Sequence, residues 1–290
     1  MLWLQALIYG ILLGGLYACM AIGFSVIWGV MNIINLAHGS MIVAGAYITY
    51  FLWRDFGIDP FLTIPVSGAA LFAAGFLLQT FLLNRVVQAS VFMTLILTFG
   101  LEMIFTNTQI ALFTADIRSV RPSYAGEGFD LGSINVPYTR VAVFVVAVLL
   151  TLALSVFMNR SRTGNAIKAT SFDIDAAQLV GMNTGRVYAI TFGIGAMMAG
   201  IAGSLVAVVF TFSPGTSVSF TTKAFVVVIL GGLGSIPGAI AGGVVLGVAE
   251  NFTSVAWDPG YIQVVSFGLL LLILVWRRKG IFGKRFYAEI

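Results

Sequence analysis

The sequence predicts an all-α, polytopic membrane protein of about seven full spans plus one hairpin broken by glycine and proline. Three observations carry that prediction. Hydrophobic residues make up 59% of the 290 residues and charged residues only 9%, with a mean hydropathy of +1.02, more apolar surface than a water-soluble domain buries. Apolar stretches of spanning length recur along the whole chain. The charge that remains is gathered into one internal polar stretch, 159–186, which reads NRSRTGNAIKATSFDIDAAQLVGMNTGR.

Taken in order, the expected spans are 5–28, 33–52, 61–83, 91–113, 141–158, 187–211 and 260–276. Each has to satisfy its own backbone donors and acceptors in hydrocarbon, so each is expected to be helical. No basic residue precedes Arg54, so the first segment lacks the positive start of a secretion signal and is read as a retained span, despite the LYAC sequence at 16–19. The stretch 222–256 is apolar but interrupted by Gly231, Gly232, Gly234, Pro237 and Gly238. Glycine and proline at that density end helices, so two short helices with a tight turn, or a re-entrant hairpin, are expected. The 114–140 segment holds Asp116, Glu127 and Asp130 among three arginines, with Pro122, Gly126, Gly128 and Gly132. It is expected to be an irregular external loop, either a plain connector or a docking surface. The whole chain, 1–290, is read as one transmembrane domain.

Orientation follows the distribution of Lys and Arg. If 159–186 is cytoplasmic, ten of the fifteen basic residues lie inside, among them Arg85 and the tail residues Arg277, Arg278, Lys279, Lys284 and Arg285. Arg54, Arg118, Arg121, Arg140 and Lys223 lie outside. The tail reaches the inner side only if 222–256 enters and leaves by the outer face. The N-terminus is therefore expected outside and the C-terminus inside. The basic tail, RRKGIFGKRF, reads as an anchor on anionic lipid and not as a nucleic-acid site.

Polar residues inside apolar spans carry the functional expectations. Glu102 sits at the centre of 91–113, where a charge costs roughly 3 kcal/mol on insertion scales. Thr94, Thr98, Glu102 and Thr106 recur every four residues, with Gln109 three further on, which is one helical stripe. It either lines a pathway or hydrogen-bonds neighbouring helices. The interrupted segments MNIINLAHGSMIVAGAY at 31–47 and LGGLGSIPGAIAGG at 230–243 hint at an internal repeat, and such pairs point to a transport pathway. The candidate pathway residues are Asn35, His38, Ser40, Thr98, Glu102 and Thr106, although His38 equally suits helix packing. Glycines four apart, such as Gly10/Gly14, Gly238/Gly242 and Gly243/Gly247, suit close helix contact, as do the stripes Gly195/Ala199/Gly203 and Ala196/Gly200/Ser204. Cys19 is the only cysteine and His38 the only histidine, so neither a disulfide framework nor a His-rich metal site is expected. No phosphate-binding GxxxxGK[ST] loop, catalytic motif or cofactor motif occurs.

Within the polar stretch, DIDAAQLVG reads as a short capped helix. Asp173 is placed to cap it, and Asp175 lies in its first turn near the positive end of the helix dipole. Ala176 and Ala177 offer a small face for a partner's cleft, Leu179 and Val180 an apolar contact, and Gly181 the terminating glycine. This stretch resembles the coupling loop of ABC importer permeases, whose pattern is E-A-A-(x)3-G, with Asp175 at the Glu position, Ala176 and Ala177 at the two Ala and Gly181 at the Gly. GLYACMAIGFSVIWGVMNIINLAHGSMIVAGAY at 15–47 and TKAFVVVILGGLGSIPGAIAGGVVLG at 222–247 resemble the N- and C-terminal signatures of the branched-chain amino acid permeases, most closely the smaller, H-type subunit. Leu36 and Ser40 depart from the commonest form of the first signature.

That resemblance implies a non-enzymatic, multi-pass permease subunit of a bacterial inner membrane. It also implies ATPase coupling through Asp173, Asp175, Ala176, Ala177, Leu179 and Gly181. The implied partners are a second permease, expected to be a paralogue, two ATP-binding cassette subunits, an external substrate-binding protein and the lipid bilayer. Two alternatives stay open at this point: the same class carrying urea, short amides or sugars, and a proton-coupled secondary transporter using Glu102 and His38.

Overall fold

The computed structural model describes residues 2–86, 90–131, 134–277 and 280–282. Arg278, Lys279, Lys284 and Arg285 of the expected inner-face tail lie outside the described residues. The helices are α1 (Leu2–Met31), α2 (His38–Phe56), α3 (Ile64–Phe81), α4 (Val91–Phe113), α5 (Tyr138–Arg160), α6 (Arg162–Phe172), α7 (Ile174–Leu179), α8 (Thr184–Val209), α9 (Ser217–Gly231), α10 (Ile236–Ala256) and α11 (Ile262–Trp276). Among the described residues, eight helical segments are long and apolar enough to cross a membrane.

The core lies where α1 and α8 meet the helices around them. Small residues allow the backbones to touch. Gly10 and Gly14 of α1 face α10, and a Cβ on either would come 2.5 Å from the Cα of Val248 or Val244. Small residues of α8 meet three helices: Gly195 meets α1, Gly203 meets α2, Ala196 meets α3, and Gly200 and Ser204 meet both α2 and α3. The hydroxyls of Thr49, Thr63, Ser67 and Ser204 form a chain that ties α2, α3 and α8 together. Such bonds supply direction where hydrocarbon offers no hydrophobic drive between helices.

The 222–256 region resolves into two helices. Gly232 and Gly234 close the turn between α9 and α10 at φ 101° and 75°, and Ser235 caps α10 by accepting from the Gly238 amide. Because α10 runs antiparallel to α1, from Gly234 beside Gly29 to Val248 beside Gly10, this turn lies at the C-terminal end of α1. The amides of Ile281 and Phe282 donate to the carbonyls of Leu230 and Gly231, so the tail shares that end with α6 and α7. The N-terminus and the 114–137 loop lie at the opposite end, where Arg118 and Phe212 exchange backbone hydrogen bonds of 2.8 Å.

Three local expectations need correction. α2 begins at His38, five residues later than expected, because 32–37 leaves the helix with Asn32 in the left-handed region at φ 53°, a conformation asparagine tolerates better than most residues. The 114–140 loop is not wholly irregular. β1 (Gly128–Leu131) pairs antiparallel with β2 (Ile134–Pro137), and the alternating buried Ile134 and Val136 pin the hairpin to the bundle. The Tyr124 hydroxyl donates to Asp59 at 2.7 Å, and burial, reinforced by that carboxylate, pushes its pKa well up. Finally, Lys223, counted among the outer cations, is not free in solvent. It lies within α9, inside the bundle.

Candidate functional site

Two helices start in the interior of the bundle. α2 begins at His38, level with Met20, which is eleven residues or about 16 Å short of the end of α1. α9 begins at Ser217, whose carbonyl packs against Gly39 so closely that a Cβ there would clash with it. The Gly39 amide donates to Thr221 Oγ1 at 2.8 Å, locking the two helix starts together. Neither helix is capped by the side chain of the residue before it, although Thr221 accepts from the first turn of α2 and a 3-10 turn, Pro214–Thr216, leads into α9. Their partial positive charge is therefore directed into the bundle.

α4 covers this junction with its polar stripe. Thr98 donates to the Ile34 carbonyl at 2.7 Å, inside the non-helical segment. Glu102, midway along α4 and 6% exposed, accepts through Oε1 from Ser217 at 2.6 Å and Thr106 at 2.9 Å. Gln109 donates to the Ser40 carbonyl at 2.9 Å, and Ser40 donates to Ala37. Thr94, Thr98, Glu102 and Gln109 are all buried. Asn35, His38, Ser40, Thr98, Glu102 and Thr106 thus gather around one junction, the broken entry to α2. His38 turns away from α4 and donates through Nε2 to the Met20 carbonyl at 2.8 Å.

The unpartnered atoms here share a character. Asn35 Oδ1, His38 Nδ1, Glu102 Oε2 and Gln109 Oε1 are buried without a hydrogen-bond partner among the described residues. With Nε2 donating, Nδ1 of a neutral imidazole is an acceptor. All four atoms accept, and a region with surplus acceptors and a carboxylate favours a cationic donor such as an ammonium group.

A second polar cluster was not anticipated. Lys223 Nζ donates to both oxygens of Glu250, at 2.7 and 2.9 Å, and to the Tyr17 hydroxyl at 2.7 Å. Ser266 of α11 also donates to Glu250, at 2.9 Å. Four helices are knotted at this point. The only sequence signals were a lysine and a glutamate, each isolated in an apolar segment. They lie 27 residues apart, and nothing local pairs them. Lys223→Met is expected to destabilise the protein by about 3–5 kcal/mol, since it strands a buried carboxylate. Lys223→Met combined with Glu250→Leu is expected to recover most of that loss. Thermal unfolding of the purified variants measures both.

At the other end, the 159–186 stretch folds as two helices. Ser161 caps α6 by accepting from Gly164 at 2.8 Å, and Asp173 caps α7 by accepting from Ala176 at 2.9 Å. Gly181, at φ 84°, terminates α7: its amide donates to Gln178 and that of Met182 to Ala177. This paired closure suits glycine in the left-handed position. Asp173, Asp175, Leu179 and Gly181 therefore occupy the cap, first turn, tip and terminator. Of the two alanines, Ala176 is exposed, whereas Ala177 is only 4% exposed and packs back onto its own chain. Phe172, Leu179 and Val180 form the outward surface, at 83%, 88% and 73% exposed.

Comparison with known proteins agrees with this architecture. The chain is 34% identical to the high-affinity branched-chain amino acid transport system permease protein BraD of Pseudomonas aeruginosa, over 97% of this chain and 96% of that protein. It is 33% identical to the corresponding protein LivH of Escherichia coli K12, over 97% and 96%. The LivM permease protein of the same organism is 27% identical, over 92% of this chain and 67% of that protein. A family model described as the branched-chain amino acid transport system permease component matches residues 6–274, and the chain belongs to that family of multi-pass membrane permeases.

Proposed function

We propose that this chain is one of two membrane subunits of an ATP-driven importer for branched-chain or related small apolar amino acids in a bacterial inner membrane. The observation that carries the reading is the junction where α2 and α9 begin inside the bundle, opposite Glu102. Broken helices of this kind place partial positive charge beside a bound carboxylate, and Glu102 supplies the opposite charge for an ammonium. An α-amino acid carries both groups. Asn35, Ser40, Thr98 and Thr106 complete the lining, and His38, bonded to the Met20 carbonyl, fixes the start of α2 behind it.

The second permease is a paralogue in this reading. Its support is that LivH and LivM of one organism both resemble this chain. Two ATPase subunits hydrolyse ATP, and this chain, without a nucleotide-binding loop, transmits their motion. A soluble binding protein delivers substrate to the opposite face, where the 114–140 loop lies. The 159–186 loop is cytoplasmic and receives the ATPases through α7. Their closure pushes the loop and switches the bundle from outward- to inward-facing. The relatives do not favour a proton-coupled carrier or a urea, amide or sugar importer.

Reconstitution tests the whole reading. In proteoliposomes holding both permeases, the ATPases and the binding protein, leucine uptake is expected only with ATP. Uptake by this chain alone under a pH gradient, or ATP-driven uptake of urea but not leucine, overturns it. Orientation has its own test in a Cys19→Ser background. A membrane-impermeant thiol reagent added to cells with a permeabilised outer membrane is expected to label Gly126→Cys and not Ser171→Cys; the reverse pattern inverts the topology.

A further inference from the structure

A cavity of about 210 Å³ opens between α1, α5, α9 and α10, above the Lys223–Glu250 pair. It lies toward the end of the bundle opposite α7. It is smaller than the roughly 300–1,000 Å³ of a pocket for a drug-sized ligand, so it accommodates only a headgroup-sized part of a larger molecule. Its walls include Leu13, Val143 and Phe210, and its charged members are Arg140, Lys223 and Glu250. Lys223 is already spent, with its donors directed to Glu250 and Tyr17. Glu250 is likewise occupied by Lys223, Tyr17 and Ser266.

Arg140 is different. Its guanidinium lies 4.3 Å from the centroid of the Tyr9 ring and has no carboxylate partner among the described residues. It also sits in the first turn of α5, at the positive end of the helix dipole, where a cation is disfavoured. An unpaired arginine there is costly to the fold and favourable to an anion. With Lys223 and Glu250 cancelling, the cavity carries one net positive charge.

The depth of the cavity identifies the source of that anion. Trp3, Tyr138, Trp257 and Tyr261 are exposed at the same end of the bundle. Exposed tryptophan and tyrosine collect at the level of lipid headgroups. Arg140 and Ile262, which line the cavity, lie two residues after Tyr138 in α5 and directly after Tyr261 at the start of α11, so the cavity is level with that belt. We propose that this cavity binds the headgroup of a phospholipid with one net negative charge, such as phosphatidylglycerol. The phosphodiester pairs with Arg140 while the glycerol and first acyl carbons lie against Leu13, Val143 and Phe210. The site is separate from the Glu102 junction and does not depend on which solute is transported.

Native mass spectrometry of the assembled transporter, with phosphatidylglycerol or phosphatidylcholine added, tests the proposal. The wild type is expected to retain phosphatidylglycerol about tenfold better than phosphatidylcholine, because both carry the phosphodiester but the choline cation of the second is repelled by the net positive charge of the cavity. Arg140→Gln is expected to remove that preference, and Arg121→Gln, an exposed arginine at the same end, to leave it intact. On the wild type itself, a photoreactive phosphatidylglycerol is expected to crosslink to peptides containing Tyr9–Tyr17 and Tyr138–Phe144, so the test does not rest on the variant folding. Equal retention of the two lipids, an unchanged preference in Arg140→Gln, or crosslinking elsewhere overturns the proposal. Displacement of the lipid by millimolar leucine or octanoate would also overturn it, by assigning the cavity to a soluble carboxylate.

Discussion

Glu102→Gln is expected to lower ATP-driven amino acid uptake by about 10- to 100-fold, the loss of one charge-assisted contact worth roughly 1.5–3 kcal/mol. The amide keeps the volume and can still accept from Ser217 and Thr106, the two bonds that hold the carboxylate in place. What it loses is the negative charge and the second free acceptor oxygen. Assembly should therefore survive while substrate handling fails. The measurement is uptake normalised to the amount of intact complex recovered. Near-normal uptake would make Glu102 a helix-packing residue. Loss of the complex itself would assign the charge to assembly. Glu102→Ala is a useful contrast, since it abandons Ser217 and Thr106 as well and is expected to damage both uptake and complex yield.

The second large effect is expected at the tip of α7. Leu179→Asp should abolish uptake and reduce recovery of the ATPase subunits with the purified permease by about 30-fold, the cost of a lost interface anchor of roughly 2 kcal/mol. Leu179 is almost fully exposed on this chain, so the permease should still insert and fold normally. Ala177→Arg is predicted to act by another route. That methyl is buried against its own chain, and an arginine there overpacks the loop. Its signature is protease sensitivity of the 159–186 segment as well as loss of uptake. Gly181→Ala should be milder than either, because the space around it is open and only its left-handed backbone opposes a side chain. Normal ATPase recovery with Leu179→Asp would remove α7 from the coupling contact.

Much of the local architecture could be read directly from the chain. Long apolar runs demand helices because hydrocarbon leaves no other way to satisfy a backbone, so the seven expected stretches are helical, α2 from a later start, and the break falls at 232–235, with Gly231, Pro237 and Gly238 inside α9 and α10. The caps of α7 were equally legible, since Asp173 and Gly181 act on backbone groups only a few residues away. The stripe of Thr94, Thr98, Glu102, Thr106 and Gln109 was visible as a helical repeat, and the structure buries all of it except the half-buried Thr106.

Only the tertiary structure decided what those features meet. No periodicity places Ser217 against Glu102, 115 residues earlier, or pairs Lys223 with Glu250 and Tyr17. Lys223 was counted only as a cation on the outer side, because an isolated lysine in an apolar stretch carries no local mark of its partner. The inward turn of Ala177 was hidden for the same reason: a six-residue helix specifies its caps but not which face its neighbours cover. The return of the chain after α1, which starts α2 inside the bundle, depends on α4 and α9 donating to the open carbonyls of 32–37, as Thr98 and Thr221 do to Ile34 and Leu36. In this protein the sequence by itself determined helices, breaks and caps, because those are contests between neighbouring residues and the solvent. The polar junctions were decided by packing, because a buried charge or open carbonyl is tolerable only beside a partner that the fold brings from far along the chain.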